Sequence, residues 1–416
     1  MTTSDTTLHP TLKFVCSTCG KTHAPEESEY ACRACGPSGI LEPASLPITI
    51  LEEGLFTSSP GMWRYEKLLC LSPVAPRPPL HVGATPLLHA QRLGQSLGLP
   101  HLHIKNDSLN PTGSLKDRAS AVALARAAEI GAKRVAVAST GNAGSSLAGL
   151  AASMGMPAAI FVPASAPRAK LVQALLYGAQ VFAVQGSYDD AFELCLQACD
   201  HFGWYNRNTA YNPYTIEGKK TVAYEMYEQL GNAAPDIVFI PTGDGCILSG
   251  VARGFRDLQT LGMIDRVPRL VAVQAQGSNA IARALAGSGT LSAIKAHSVA
   301  DSISVNVPRN GAMAVRDVRQ SGGRAVVVSD EAIIAAVQEL AAMTGIFAEP
   351  AAAASLAGLH AYLAEATEES AHSRHEIVVL LVTGTGLKDV DAAARAAPAP
   401  IPVEPSLHSL EEALNL

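Results

Sequence analysis

The chain has 416 residues and a mass of 43.2 kDa, is 48% hydrophobic and 16% charged, and carries a formal net charge of -6. That length supports two or three domains around a large core, and that composition excludes a disordered chain. The acidic balance gives no footing for nucleic acid or an anionic membrane. No apolar run is long enough to span a bilayer, and no secretory core is read at the start, so the expected partners are small molecules: no nucleic acid and no membrane. Four of the eight cysteines fall in pairs and four are scattered, which points to a reducing cytosol and a cytoplasmic protein.

Residues 1–12 read as disordered. Two knuckles follow, Cys16-Ser-Thr-Cys19-Gly20 and Cys32-Arg-Ala-Cys35-Gly36, separated by twelve residues. Four thiolates at this spacing can surround a structural zinc ion, with no coordination position left open for chemistry. Few basic residues accompany them, which argues against a nucleic-acid ribbon. Residues 41–82 form a proline-bearing connector with a short helix predicted near 61–69, and Leu102 to Lys105 reads as a strand.

The stretch Asn110-Pro-Thr-Gly-Ser114-Leu-Lys116-Asp117-Arg118 joins turn chemistry to the start of an Ala-rich helix predicted over Ala119 to Ala128. Asn-Pro disfavours helix at Asn110 and Gly113 accepts unusual backbone angles. Ser114 is placed as the N-cap, and Asp117 in the first turn complements the helix dipole. Lys116 is thereby an amine fixed at a helix start, the setting a Schiff-base lysine needs; the competing reading is a solvated surface lysine.

From residue 134 onward, short β-rich runs alternate with Ala-rich helices. Strands are predicted at 134–138, 158–162, 180–184, 237–240, 270–274, 325–328 and 377–382, a pattern of βαβ units with covered parallel sheets. In such folds ligands gather at the carboxyl ends of the strands. Three of those ends carry distinctive loops. Ser139-Thr140-Gly-Asn142-Ala offers hydroxyls, an amide side chain and helix-start amides, a set that can hold a carboxylate. Thr242-Gly243-Asp244-Gly245-Cys246-Ile247 lets backbone approach a phosphate, although it matches neither a P-loop nor the dinucleotide fingerprint. Thr383-Gly-Thr-Gly-Leu-Lys388-Asp389 closes the last unit. A lysine, a phosphate cradle, a carboxylate loop and a strand-end hydroxyl together fit a phosphorylated aldehyde cofactor held as an imine.

These motifs, with Asn212-Pro-Tyr-Thr215-Ile-Glu217-Gly-Lys-Lys-Thr221 and Ala348-Glu349-Pro350, resemble the threonine synthase family of fold type II pyridoxal-phosphate enzymes over most of the chain. The resemblance implies an α/β fold of the tryptophan synthase β type: two parallel-sheet αβα domains behind a zinc-ribbon-like segment. Its expected divisions are the ribbon at 1–45, a large cofactor-binding domain at 46–120 and 221–395, a small domain at 121–220 and a tail at 396–416, which ends in a short helix over Ser406–Leu414. It implies pyridoxal 5'-phosphate as cofactor, a small amino-acid substrate and a homodimer. Lys116 would be the Schiff-base lysine. Asn142 would face the cofactor's phenolic oxygen, Gly243, Asp244, Gly245, Cys246 and Ile247 its phosphate, and Thr383 its ring nitrogen. Ser114, Ser139, Thr140, Asn142, Thr215 and Arg309 are the expected substrate residues, and Cys16, Cys19, Cys32 and Cys35 the zinc ligands.

The chain departs from the family where the substrate's phosphate is gripped. Family members carry an Asn-Ser pair before the Asn-Pro motif, an Arg before Ile/Leu-Glu-Gly, and an Asn after the cofactor-phosphate glycines; here stand Thr209-Ala210, Thr215 and Ile247. A bidentate Arg is hard to replace for phosphate, and losing one charge-assisted contact costs about 1.5–3 kcal/mol. The expectation is therefore β- or γ-elimination or replacement on an amino acid other than O-phosphohomoserine. Nearby Arg207, Lys219 or Arg309 could restore the lost charge. The alternatives are threonine synthase proper, a serine/threonine dehydratase-type lyase, and a non-catalytic binding protein of the same fold.

Overall fold

The computed structural model describes residues 13–27, 29–36, 39–44, 55–365 and 375–414, and the disorder read for residues 1–12 lies outside them. In chain order β1 (Phe14–Cys16), β2 (Thr22–His23) and β3 (Leu41–Pro43) form a small antiparallel sheet, and a 3-10 helix spans Gly61–Leu68. Next come β4 (Leu87–His89), α1 (Gln91–Leu97), β5 (Leu102–Asn106), α2 (Lys116–Glu129), β6 (Val135–Ala138) and α3 (Asn142–Ser153). They are followed by β7 (Ala158–Pro163), α4 (Arg168–Leu176), β8 (Gln180–Val184), α5 (Tyr188–Phe202), β9 (Tyr205–Asn206) and α6 (Tyr214–Gln229). The chain continues through β10 (Ile237–Pro241), α7 (Cys246–Thr260), β11 (Arg269–Ala275), α8 (Ala280–Ala286), α9 (Gly311–Gln320) and β12 (Arg324–Val328). It closes with α10 (Asp330–Thr344), α11 (Pro350–Ala364), β13 (Val378–Val382), α12 (Val390–Ala394) and α13 (Leu407–Leu414).

Two larger sheets organise these elements. One has the order β12-β11-β10-β13-β5-β4 and is parallel except for β4; the other, β8-β7-β6-β9, is wholly parallel. The inner strands β6, β10 and β13 are buried along their whole length, as expected of strands covered by helices on both faces. The two covered parallel sheets are the architecture that the resemblance implied.

Helix α6 lies between α2 and α7, and glycine permits the approach on both sides. A Cβ at Gly218 would sit 2.0 Å from the carbonyl oxygen of Arg118, and one at Gly250 would sit 2.6 Å from Cβ of Lys219. This close packing seats α2 and α7 against adjacent residues of α6.

Besides the short strands of the ribbon, two strands of the larger sheets escaped the sequence pattern. β4 is a half-exposed antiparallel edge strand and β9 is only two residues long, so neither makes an apolar run. Helix α2 also begins earlier than the alanine pattern implied, at Lys116 itself. Ser114 is not its cap: the N-cap position is Leu115, which makes no side-chain cap bond, and Ser114 Oγ is buried without a partner among the described residues.

The four knuckle thiols converge, all sulfurs lying within 4.8 Å of one another. Gly20 and Gly36 take left-handed angles at the knuckle ends, and Gly39 has no room for a Cβ between Cys32 and Cys35. Arg253 binds the carbonyls of Pro43 and Ala44 at 2.7 Å each, tying the ribbon to α7.

Candidate active site

The loop before α2 is held from several directions. Asn110 Oδ1 accepts from Gly83 N at 2.9 Å, and Leu115 N donates to the carbonyl of Thr383 at 2.9 Å, bridging to the end of β13. Asp117 folds the loop back, accepting from Thr112 N at 2.7 Å and Thr112 Oγ1 at 2.5 Å. Arg118, fully buried, then locks the first helical turn through Asp107 and Glu225, each bound by two contacts of 2.6–2.9 Å. Between these clamps stands Lys116, half-buried, its amine without a hydrogen-bond partner among the described residues. Burial pushes its pKa down, and nearby Arg207 adds to the effect.

Lys116 opens onto a cleft of about 490 Å³ between the two large sheets. The cleft brings together six of the expected site residues: Lys116, Ser139, Thr140, Asn142, Asp244 and Arg309. Ser139 and Thr140 follow β6, and the first turn of α3 supplies amide donors beside them. Gly144 lets that turn close, since a Cβ there would meet the carbonyl oxygen of Ser139 at 2.6 Å. Asn142 Nδ2 donates to both carboxylate oxygens of Glu349, at 2.9 and 3.0 Å. Burial raises the pKa of Glu349, and the bonds from Asn142 oppose the rise.

The loop after β10 turns at Gly245, whose φ of +89° only glycine adopts without strain, and α7 starts at Cys246. A Cβ at Gly243 would lie 2.9 Å from Cα of Ile303, so the chain is tightly seated there. Asp244 projects into the cleft and accepts from the backbone N of Arg309 at 3.1 Å. Gly243, Gly245, Cys246 and Ile247 form the backbone behind it. Among them Cys246 is buried, and its thiol is pushed up to about 11, chiefly by burial.

Arg309 reaches across the cleft to α5. Its guanidinium lies 3.9 Å from the Phe192 ring centroid and pairs with Asp189 at 3.0 Å. Lys170 on α4 makes a second crossing, to Asp301 at 2.7 Å and Asp389 at 3.3 Å.

Besides Gly243, Gly245, Cys246 and Ile247, three expected residues stand apart from the cleft wall. Thr383 is buried at the end of β13, and Ser114 is buried beside Gly384. Thr215 is buried within α6, and its hydroxyl donates to the carbonyl of Asn212 at 2.8 Å. Sequence reasoning gave too little weight to Glu349, Arg207 and Lys219. Lys219 lies four residues after Thr215, one helical turn along the same face of α6, which was the available signal. Arg207 was named for its charge alone, and its place in the fold was not legible because β9 before it was not recognised.

The donor set fits pyridoxal phosphate: an unpaired lysine amine for the aldehyde, amides at the start of α7 for the phosphate, and a strand-end threonine for the ring nitrogen. The thiol cluster fits zinc too. Cys19 and Cys32 sulfurs are 3.7 Å apart, the edge of a tetrahedron with arms of about 2.3 Å.

Comparison with known proteins agrees with this geometry. Residues 79–384 match the family described as pyridoxal-phosphate dependent enzyme. The chain is 37% identical to a threonine synthase of Methanocaldococcus jannaschii and 35% identical to one of Methanosarcina acetivorans, each over 96% of this chain and 98% of the relative. Among solved structures, tomato threonine deaminase isoform 2 superposes with a TM-score of 0.65 at 22% identity, over 75% of this chain and 87% of that one. Escherichia coli diaminopropionate ammonia lyase also gives 0.65, at 19% identity, over 78% and 88%.

Proposed function

From its place in the threonine synthase family of pyridoxal-phosphate-dependent enzymes, to which this chain belongs, we propose that it takes the α-proton from a small amino acid and expels a β- or γ-substituent, with Lys116 as cofactor anchor and base. That membership makes it a pyridoxal-phosphate-dependent carbon–oxygen lyase. When bound, the cofactor supplies an electron sink next to the substrate's α-carbon.

The protein's own residues do the rest. Lys116 would hold the aldehyde and carry the proton from the α-carbon, and burial lowers its pKa, favouring the neutral amine that both roles need. Ser139, Thr140 and the start of α3 receive the substrate carboxylate. Amides of Gly243 to Ile247 would hold the cofactor phosphate, and the neutral Thr383 hydroxyl would face the ring nitrogen. A hydroxyl there does not enforce protonation, which favours elimination and replacement over transamination. The observation that carries this reading is the unpaired Lys116 amine opening onto the cleft.

The proposed substrate differs from O-phosphohomoserine, because Thr215 stands where the family has Arg and its hydroxyl is spent on α6. Threonine synthesis proper is a second reading, favoured by two cations buried behind Lys116, Arg207 and Lys219. The deciding experiment adds O-phosphohomoserine to the cofactor-loaded protein and follows phosphate and threonine, with Lys116→Ala as blank. Release of both establishes threonine synthesis. Neither product, with turnover of another β- or γ-substituted amino acid, supports the first reading. No turnover of any amino acid removes both.

A further inference from the structure

A second cavity, of about 640 Å³, lies at the end of β6 away from the cleft. Ala132 and Lys133 just before β6, Tyr205 and Asn206 of β9, and Glu26 and Tyr30 of the ribbon all contribute to its wall. No residue lines both this cavity and the cleft. In sheets of this kind the reacting ligand gathers at the carboxyl ends of the strands, so a cavity at the amino end is not a lobe of the active site. Its wall is aromatic. Tyr30 and Tyr211 stack with centroids 5.4 Å apart, and Tyr205 meets Tyr30 edge-on at 5.7 Å. Tyr30 Oη accepts from Asn206 N at 3.1 Å, which fixes the ring. Arg134 already lies 4.9 Å over Trp204, another wall residue, so a planar cation seats well on this surface. The wall is also acidic. Glu29 and Arg126 pair at 3.1 Å and cancel, which leaves Glu26, Glu27 and Asp200 against Lys133. None of those four is in an ion pair among the described residues. Tyr205 is 2% exposed and its hydroxyl has no partner among the described residues. The nearby Asn212 amide is spent on the carbonyl of Asn206 at 2.7 Å and on the N of Tyr214 at 2.9 Å. A buried hydroxyl left unbonded in a cavity wall calls for an external partner.

We infer that this cavity is a second binding site, separate from the cleft, for a small flat organic cation such as an amidinium, a guanidinium or a protonated nitrogen heterocycle. The inference goes beyond the lyase reading and does not depend on it. The volume suits a small molecule, and the mixture of aromatic faces with a few polar groups is that of a ligand pocket. Ring faces attract cations, and a planar cation stacks on them while its N–H groups remain free for carboxylates. Asp200 is placed for that second contact. Burial raises the pKa of the Tyr211 hydroxyl and nearby Asp200 adds to the rise, so this carboxylate and this ring address one place. An anion would meet an excess of carboxylates here, and a purely apolar ligand would strip them of water without return.

The test titrates benzamidine into the cofactor-loaded, full-length protein by calorimetry. This probe is flat and cationic and lacks the amino-acid group that the cleft is built to accept. Wild type binds it, and Tyr211→Ala and Asp200→Asn each weaken binding about tenfold. Tyr211→Phe keeps the ring and retains the affinity, and Asp200→Asn changes one exposed oxygen, so loss of fold cannot mimic the pattern. Benzamide, of the same shape but uncharged, binds at least about tenfold more weakly than benzamidine. Asp189→Asn, which removes a carboxylate from the cleft wall, leaves the affinity unchanged. No binding to wild type at about 5 mM benzamidine overturns the inference. So does an affinity that Tyr211→Ala and Asp200→Asn leave unchanged. Weakening by Asp189→Asn places the probe in the cleft and overturns the second site, and equal binding of benzamide overturns the cationic class. None of these readouts requires turnover of an amino acid, so failure of the lyase reading leaves the result intact.

Discussion

Asn142 Nδ2 lies 2.9 and 3.0 Å from the two oxygens of Glu349, a residue 207 positions further along the chain. The pair ties the start of α3 to the start of α11. A carboxylate can only accept, so the Asn142 amide is oriented with its nitrogen toward Glu349. Gly384 presses on the same carboxylate, since a Cβ there would lie 2.6 Å from Oε1. The residue expected to touch the cofactor is therefore positioned by a buried acid.

Asn142→Ala should destabilise the protein by about 1–3 kcal/mol at neutral pH, because it leaves a buried carboxylate without its donors. Glu349 already titrates above its ordinary 4.5. A raised carboxyl contributes stability below its unfolded value and loses it as pH rises through the folded one. Removing Asn142 raises the folded value further, so the penalty should be small near pH 4 and grow toward pH 7. Melting temperatures of both proteins across that range check this, and a pH-independent difference refutes it. In a Glu349→Gln background the penalty should shrink.

Lys116→Ala should give a colourless protein. In wild type, borohydride reduction followed by mass analysis should find the cofactor's mass on the peptide holding Lys116. Cofactor mass on Lys105 or Lys219 instead would refute the anchor assignment. With cofactor removed from both, the variant should melt no lower than wild type, since the lost amine is desolvated and unpaired.

Arg309 and Lys170 join the two sides of the cleft by ion pairs that are partly exposed. Such pairs are worth little to global stability and weaken with salt. Arg309→Ala should therefore raise KM several-fold with kcat changed less. Between about 0.05 and 0.5 M salt, wild-type KM should climb toward that of the variant. A wild-type KM indifferent to salt would show that these contacts do not govern access.

The parallel sheets were legible because β6, β10 and β13 are buried on both faces and leave continuous apolar runs. The glycine-rich loops were legible because close approach of backbone demands glycine. Relations between distant segments were not. Asp117 reads locally as a dipole partner, yet it is spent on Thr112. Glu349 reads as a helix start, and its carboxylate belongs to Asn142. Lys219 looks like one more lysine in a Lys-Lys pair, and only packing separates it from Lys220, which is bound by Glu217 and Asp257 at 2.8 and 3.0 Å.

The thiol cluster predicts about one zinc per chain. Cys16→Ser should lose it and lower the melting temperature, because the metal would brace the small sheet of β1 and β3, which Arg253 and the Glu42–Arg256 pair fasten to α7. Cys70→Ser, a buried cysteine outside the cluster, should retain the metal. Unchanged zinc in Cys16→Ser would sink the assignment.

Arg118 anchors the turn that carries Lys116, and its partners Asp107 and Glu225 are almost fully buried; Glu225 also takes Lys105 Nζ at 2.6 Å. Removing one partner of such a lattice leaves uncompensated buried charge, so Arg118→Met should cost about 3–5 kcal/mol. Arg118→Lys should rescue little, because one ammonium cannot reproduce a fork that meets two carboxylates. Arg118 holds the Glu225 carboxyl down at about 2, against 4.5 when unperturbed. A depressed carboxyl gives stability that is present above 4.5 and lost as pH falls toward 2. Wild type should therefore unfold steeply over that interval. Arg118→Met, with the main cause of the depression gone, should lose less of its remaining stability there. Acid titrations followed by circular dichroism distinguish the two, and parallel curves would mean that other carboxylates govern the acid transition.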